Sequence, residues 1–585
     1  MPRYAFAHPA SSLHGKSERH SQGRRGMRAN DGTRTAGEVL IDQLVVHGAE
    51  HVFCVPGESY IAALDAFYDR DIAITVCRHE SGAAMMAEAC GKATGRPGIC
   101  FVTRGPGATN AAAGLHIARQ DSTPLILFVG QIAREARERE AFQELDYRAV
   151  FGSIAKWATE IDDSERIPEL ISRAFYTAAG GRPGPVVIAL PEDMLVERLA
   201  VPDAPAFEPV EIWPGAADMT RLHKLLRTAE RPIMLLGGSR WSEKACAAVA
   251  RFAQRFALPV ATTFRRAHLI NPEHPCYAGD LGIGPNPKLL ARVKGADLIL
   301  LIGGRLGEMP SQSYTLLDIP GPRQTFVHVF PGIEELGRVY RPHLAINATP
   351  TAFAAALEGL EPPSEPTWRN ETAIAHADFL AWTDKPTAVP GPVNLGEIIV
   401  GLRDKLPADA VICNGAGNFS VWVHRYARYR RYGTQLAPIS GSMGYGVPAA
   451  IGMKRLAPER TVIAVAGDGD FLMTGQELAT AVQYELPVII IVVDNSMYGT
   501  IRMHQERHYP GRVVATGLKN PDFAAYARAF GGYGATVEKT ADFWPAFEAA
   551  QRSGKPAILH LKVDPEALTP TMSLTATREK AQAGG

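Results

Sequence analysis

Scarcities narrow the field first. The 585 residues include only seven cysteines (Cys54, Cys77, Cys90, Cys100, Cys246, Cys276 and Cys413), none of them in a CxxC pair. Neither a disulfide scaffold nor a zinc site is therefore encoded, and reduced, mostly buried thiols in a cytoplasmic protein are expected. No run reaches the ~18 apolar residues that a membrane span needs. No sign of charge is in excess: 61 Lys+Arg face 61 Asp+Glu, which argues against a broad nucleic-acid surface. With 46% hydrophobic and 21% charged residues, wholesale disorder is excluded too. Residues 1–33 lack the apolar stretch of a secretory signal and read as a disordered basic extension, with a true start at Met27 or an organellar presequence as the alternatives.

Glycine (55) and proline (43) are plentiful. Short apolar runs bounded by turn residues recur: ICFVT (99–103), PLILFVG (124–130), PVVIAL (185–190), PIMLLGG (232–238), DLILLIGG (297–304), TVIAVAG (461–467) and PVIIIVV (487–493). They are too short for helices and alternate with helix-like periods, which predicts strands buried on both faces of parallel α/β sheets. Proline-rich stretches at 196–212 and 361–391 read as linkers. The expected organisation is three α/β domains at 34–195, 213–360 and 392–570, each doubly wound and mostly parallel, with a C-terminal tail at 571–585.

In the third unit, TVIAVAG runs into Gly467-Asp468-Gly469-Asp470, and PVIIIVV runs into Asp494-Asn495. Loops at the carboxyl ends of parallel strands are where ligands bind. A carboxylate and an amide oxygen there suit one hard cation such as Mg²⁺, and flanking glycines let backbone N–H groups approach a diphosphate. Thr474-Gly-Gln-Glu477 reads as a capping box that starts a helix beside that anion.

The stretch GDGDFLMTGQELATAVQYELPVIIIVVDNSMYG resembles the signature of the thiamine diphosphate-dependent enzymes, and CRHESGAAMMAEACGKATG (77–95), TRGPGATN (103–110), QDSTP (120–124) and AFQELD (141–146) resemble its acetolactate synthase-like group. The likeness spans roughly residues 34–570. It implies pyrimidine-binding and diphosphate-binding domains flanking a central Rossmann-like domain. It also implies thiamine diphosphate and Mg²⁺ as cofactors, and a homodimer or homotetramer with sites at the subunit interface. By this resemblance Asp468, Asn495 and the backbone oxygen of Met497 are the metal ligands. Gly417, Asn418, Gly441, Met443, Gly467, Gly469, Asp470, Asn495 and Tyr498 are cofactor contacts, with Met443 as the wedge that bends the cofactor. Glu80 is the carboxyl group that bonds the pyrimidine nitrogen N1′, where a raised pKa would let it donate a proton. Gln143 lies near substrate.

The implied reaction is decarboxylation of a small 2-oxo acid and transfer of the remaining carbons to a second carbonyl compound. Two residues point to an alternative, a simple decarboxylase or carboligase without flavin. Glu58 stands where the biosynthetic synthases usually have glycine, and His504 where they carry a tryptophan; either ionisable group could contact substrate. A flavin-linked pyruvate oxidase and a non-catalytic cofactor-binding protein are weaker readings. The turn after DLILLIGG keeps Arg305 of an arginine-rich flavin-binding turn but lacks the following Asp-Asp-Arg, so FAD stays open.

Overall fold

The computed structural model describes residues 32–583; the extension expected at 1–33 lies outside the described residues except for Gly32 and Thr33. Three six-stranded sheets carry the fold. The first contains β1 (His51–Cys54), β2 (Ala73–Val76), β3 (Gly98–Val102), β4 (Leu125–Gln131), β5 (Trp157–Glu160) and β6 (Pro185–Pro191), in the order β2-β1-β3-β4-β6-β5. The second contains β7 (Pro232–Leu236), β8 (Val260–Thr263), β9 (Tyr277–Leu281), β10 (Leu298–Ile302), β11 (Thr325–Phe330) and β12 (Leu344–Asn347), in the order β9-β8-β7-β10-β11-β12. The third contains β13 (Val411–Asn414), β14 (Gln435–Leu436), β15 (Val462–Gly467), β16 (Ile489–Asp494), β17 (Tyr533–Val537) and β18 (Ala557–Lys562), in the order β14-β13-β15-β16-β18-β17. Every pairing within these sheets is parallel. The outer two share one strand order, and the central order is that of a dinucleotide-binding fold.

Small residues decide how the outer units meet. Helix α1 (Glu80–Thr94, ESGAAMMAEACGKAT) packs between α2 (Gly105–Asp121) and α4 (Gly446–Leu456), the helix preceding β15. A Cβ on Gly114 of α2 would stand 2.5 Å from the Ala84 Cβ, and one on Gly452 of α4 would stand 2.9 Å from the Met86 carbonyl oxygen. The glycines thus permit near-backbone contact, and one apolar core spans both units, from Phe53 and Leu127 to Ile490 and Ile558. Helix α1 ends as the sequence suggests, with Gly95 in the left-handed region at φ 70°.

The segment 361–391 does more than connect. It contains α3 (Arg369–Thr383), whose buried Thr372, Ala375 and Phe379 pack against the edge strand β9 of the central sheet, with Phe379 edge-on to Tyr277. The prolines that suggested a linker lie outside this helix. Likewise the residues expected as a tail form α6 (Leu574–Ala583), which lies along α5 (Gly499–His508). Among the described residues no helix is long and apolar enough to cross a membrane.

Candidate active site

Strand register brings the two third-unit loops level. Gly467 pairs with Val493 across β15 and β16, so Asp468 and Asn495 leave the sheet side by side at its carboxyl edge. Asp468 is buried and accepts hydrogen bonds from the Gly469 N–H at 2.9 Å and the Asn520 amide at 2.7 Å. Burial, only partly offset by those bonds and reinforced by neighbouring Asp494, pushes its carboxyl up to about 6. Asp494 moves the other way: burial would raise it, but hydrogen bonds from His560 (2.8 Å), Lys562 (2.6 Å) and Asn520 (2.8 Å) hold it well below the ordinary range.

The Asn495 loop is braced from behind. Ser496 takes φ 55°, Met497 bridges to Gly517, the Tyr498 N–H donates to the Thr516 carbonyl at 2.9 Å, and the Leu518 N–H donates to the Ser496 carbonyl at 2.8 Å. A Cβ on Gly469 would stand 2.5 Å from the Tyr498 ring, and one on Gly467 would stand 3.1 Å from Phe419. A side chain on Gly469 would thus displace the Tyr498 ring, and one on Gly467 would press tightly on Phe419.

Asp470 braces the neighbouring loops. Its Oδ1 accepts from the Gly444 N–H at 2.7 Å and the Ala416 N–H at 3.2 Å, while burial pushes the carboxyl up to about 7. The expected capping box is absent. Thr474 donates instead to the Gly444 carbonyl at 2.6 Å, and the Glu477 carboxylate reaches across to the backbone N–H groups of Arg78 and His79. Tertiary partners at the unit boundary outcompete the local cap.

A cavity of about 250 Å³ opens on this edge, lined among others by Gly417, Asn418, Gly441, Met443, Gly467, Asp468, Gly469, Asp470, Asn495, Met497 and Tyr498. Gly417 (φ 153°) and Gly441 (φ 66°) hold backbone that other residues adopt only under strain. The cavity shares Ala416, Gly417, Asn418, Gly441 and Thr500 with a larger one of about 910 Å³, which runs to the carboxyl edge of the central sheet past Arg265, Arg305 and Phe330. His504, largely exposed on α5, lines this second space; partial desolvation of its ring, with nearby Arg507 and His508, lowers its pKa.

The remaining candidates gather elsewhere. Cys54 pairs with Val76, and Glu58 and Glu80 each follow four residues later at the carboxyl edge of the first sheet. Glu80 accepts from the Asn110 amide at 3.0 Å and lies beside Gly107, where a Cβ would stand 3.3 Å from its Oε1. Glu58 is largely exposed and 3.6 Å from the Arg104 guanidinium. Gln143, at φ 64°, accepts the Gly105 N–H on its carbonyl. None of the three lines the two cavities of its own chain. Sequence reasoning missed Asn520, His560 and Lys562 as organisers, because nothing in their spacing marks them, and it gave Glu477 a local cap in place of its contact across the units; only the strand register and the helix packing show these roles.

This pairing of fold and site defines a thiamine diphosphate-dependent enzyme, and family models agree. Residues 34–150 match the thiamine pyrophosphate enzyme N-terminal TPP binding domain, 219–357 its central domain, and 415–561 its C-terminal TPP binding domain. The chain belongs to this family, on its acetolactate synthase-like branch. It is 30% identical over 531 residues to the acetolactate synthase isozyme 2 large subunit of Escherichia coli (strain K12), covering 90% of this chain and 95% of that protein. It is 31% identical over 553 residues to the acetolactate synthase large subunit of Parasynechococcus marenigrum (strain WH8102), covering 91% and 88%. It is 29% identical over 537 residues to the acetolactate synthase of Bacillus subtilis (strain 168), covering 90% and 93%.

Proposed function

We propose that the chain decarboxylates a small 2-oxo acid and joins the remaining carbons to a second carbonyl compound, as the names of its relatives suggest. The observation that carries this reading is the 250 Å³ cavity, where hard oxygen donors and glycine backbone meet at one sheet edge. Asp468, Asn495 and the Met497 carbonyl form a donor set that suits Mg²⁺. Bound thiamine diphosphate supplies a nucleophilic C2 carbon and an electron sink for loss of CO₂. Around it the protein orients and excludes water: Gly417, Asn418, Gly467, Gly469, Asp470 and Tyr498 frame the diphosphate end, and Gly441 with Met443 the pyrimidine end. Glu80 would address the pyrimidine nitrogen. Because Glu80 lies outside its own chain's cavity, a homodimer or homotetramer would complete each site, one copy's Glu80 facing another's cavity. Gln143 and Glu58, on the same edge as Glu80, and His504 on α5 are assigned as substrate contacts.

The 910 Å³ cavity beside the central sheet is large enough for FAD, which is the observation favouring flavin. The residues fit it poorly. Arg305 is engaged with the Gln120 carbonyl at 2.5 Å, and β8, the strand that follows the first turn of the central unit, ends in Thr262-Thr263 rather than a carboxylate for a ribose hydroxyl. We therefore place no flavin in the reaction, and a protein purified without flavin absorbance is expected.

The test is carbon balance. Incubation with thiamine diphosphate, Mg²⁺ and a panel of 2-oxo acids should release CO₂ with a hydroxyketone acid. Aldehyde as the sole product would establish the second reading, a simple decarboxylase, which the ionisable Glu58 and His504 favour.

A further inference from the structure

The turn that carries Glu80 is held by a carboxylate from the third unit. Glu477, fully buried, accepts from the Arg78 N–H at 3.1 Å and the His79 N–H at 2.9 Å, and its second oxygen accepts from the Thr480 hydroxyl at 2.6 Å. Two consecutive amides just ahead of α1 thus converge on one anion, the arrangement that a helix start favours. Gly82, in the first turn of α1, makes this approach feasible, since a Cβ there would stand 2.4 Å from Glu477 Oε1. Residues that follow Glu477 in the same chain add two contacts on the same connection: the Tyr484 hydroxyl accepts from the Val76 N–H at 2.8 Å, and Gln483 accepts from the Arg78 guanidinium at 2.5 Å. At its other end the Glu477 segment is tied to the Gly441–Gly446 loop through Thr474 and the Gly444 carbonyl.

We propose that Glu477 is a positioning residue for Glu80: its carboxylate fixes the backbone from which Glu80 departs, and links it to the loop assigned to the pyrimidine end of the cofactor in the same chain. This rests on the reading of Glu80 as the group that addresses the pyrimidine nitrogen. Glu477 touches no reacting atom. Its effect would come through the aim of Glu80, where a displacement of ~1 Å is enough to slow a reaction by about a hundredfold.

The experiment measures hydrogen–deuterium exchange at C2 of thiamine diphosphate bound to the full-length protein with Mg²⁺, at confirmed full cofactor occupancy. Glu80→Gln should slow exchange by about a hundredfold or more. Glu477→Gln, which keeps the shape but removes the charge on which the two amides converge, should slow it by about tenfold or more with cofactor stoichiometry retained. Gly82→Ala keeps the carboxylate but displaces it, and should show the same direction of change. If it folds where Glu477→Gln does not, it carries the test alone. Exchange slowed in Glu80→Gln but unchanged in both Glu477→Gln and Gly82→Ala overturns the positioning role and leaves the Glu80 reading intact. Exchange unchanged in Glu80→Gln overturns that underlying reading itself.

Discussion

Asp468 and Asp494 stand at the ends of neighbouring strands and are pushed in opposite directions, one up to about 6 by burial, the other down by His560, Lys562 and Asn520. Asn520 touches both, at 2.7 and 2.8 Å, and so orients the proposed metal carboxylate. Losing such a support typically weakens metal affinity by about 10- to 100-fold. Asn520→Ala is therefore expected to raise the Mg²⁺ concentration for half-maximal activity by that order, read from a Mg²⁺ titration at saturating cofactor; an unchanged titration contradicts it. A different carboxyl, Asp280, shows what burial does when little compensates. Only a Thr262 hydroxyl at 3.4 Å and the field of Arg265 oppose its burial, which pushes it up to about 8 from 3.8. The folded state then retains a proton that the unfolded chain releases, so this contribution to stability is complete below the unfolded value and is lost as pH rises through about 8. Asp280→Asn should melt above the parent protein at pH 8.5 and near it at pH 4. The reverse order would refute the buried-acid assignment.

Elements were legible where their pattern was intrinsic and obscure where packing made it. All seven apolar runs lie on strands, because a strand buried on both faces needs uninterrupted apolar residues. The edge strands Trp157–Glu160 and Tyr533–Val537 are half-covered and left no such run. The Asp468 and Asn495 loops could be read because they follow two such runs directly. Glu477 was misread as a local cap because the contact that claims it lies about 400 positions away in the chain. Helix α6 shows the same limit. Its anchor is Glu506 of α5, buried, which accepts from Arg502 and from Arg578 at 2.7 Å each; the Arg578 hydrogen bonds, ahead of burial, take its carboxyl down to about 2. Arg578→Ala should release α6 without disturbing α5, whose Arg502 still pairs with Glu506. Amide exchange faster by about tenfold within residues 574–583 alone is the expected signature, and equal protection would show that apolar packing suffices.

At the scale of the whole molecule, three sheets converge on one buried ionic cluster. Lys92 of α1 lies 2.7 Å from Asp121 of α2 and 3.2 Å from Glu88. Asp121 also meets Arg266, which follows β8 of the central sheet, at 3.3 Å, and accepts the Ile439 N–H of the third unit at 2.9 Å. Glu88 accepts from the Tyr445 hydroxyl at 2.6 Å. Burial would raise Asp121, but Lys92 and Arg266 outweigh it and lower its pKa. The sequence supplies each of these residues without any sign that they meet, since the cluster exists only once the small faces of α1, α2 and α4 have closed. Replacing a whole buried ionic set by apolar groups is often neutral, whereas removing one partner strands the others and costs about 3–5 kcal/mol. Lys92→Met leaves Asp121 with Arg266 and buried Glu88 with only the Thr123 and Tyr445 hydroxyls, so destabilisation of that order is expected. Adding Glu88→Gln removes one of the stranded charges while keeping an acceptor for Tyr445, and should recover part of the loss. Thermal or urea unfolding of the two variants beside the parent protein decides it. A Lys92→Met protein as stable as the parent, or a double variant weaker than Lys92→Met alone, would mean that the three units are held together by apolar packing and that the charges are bystanders.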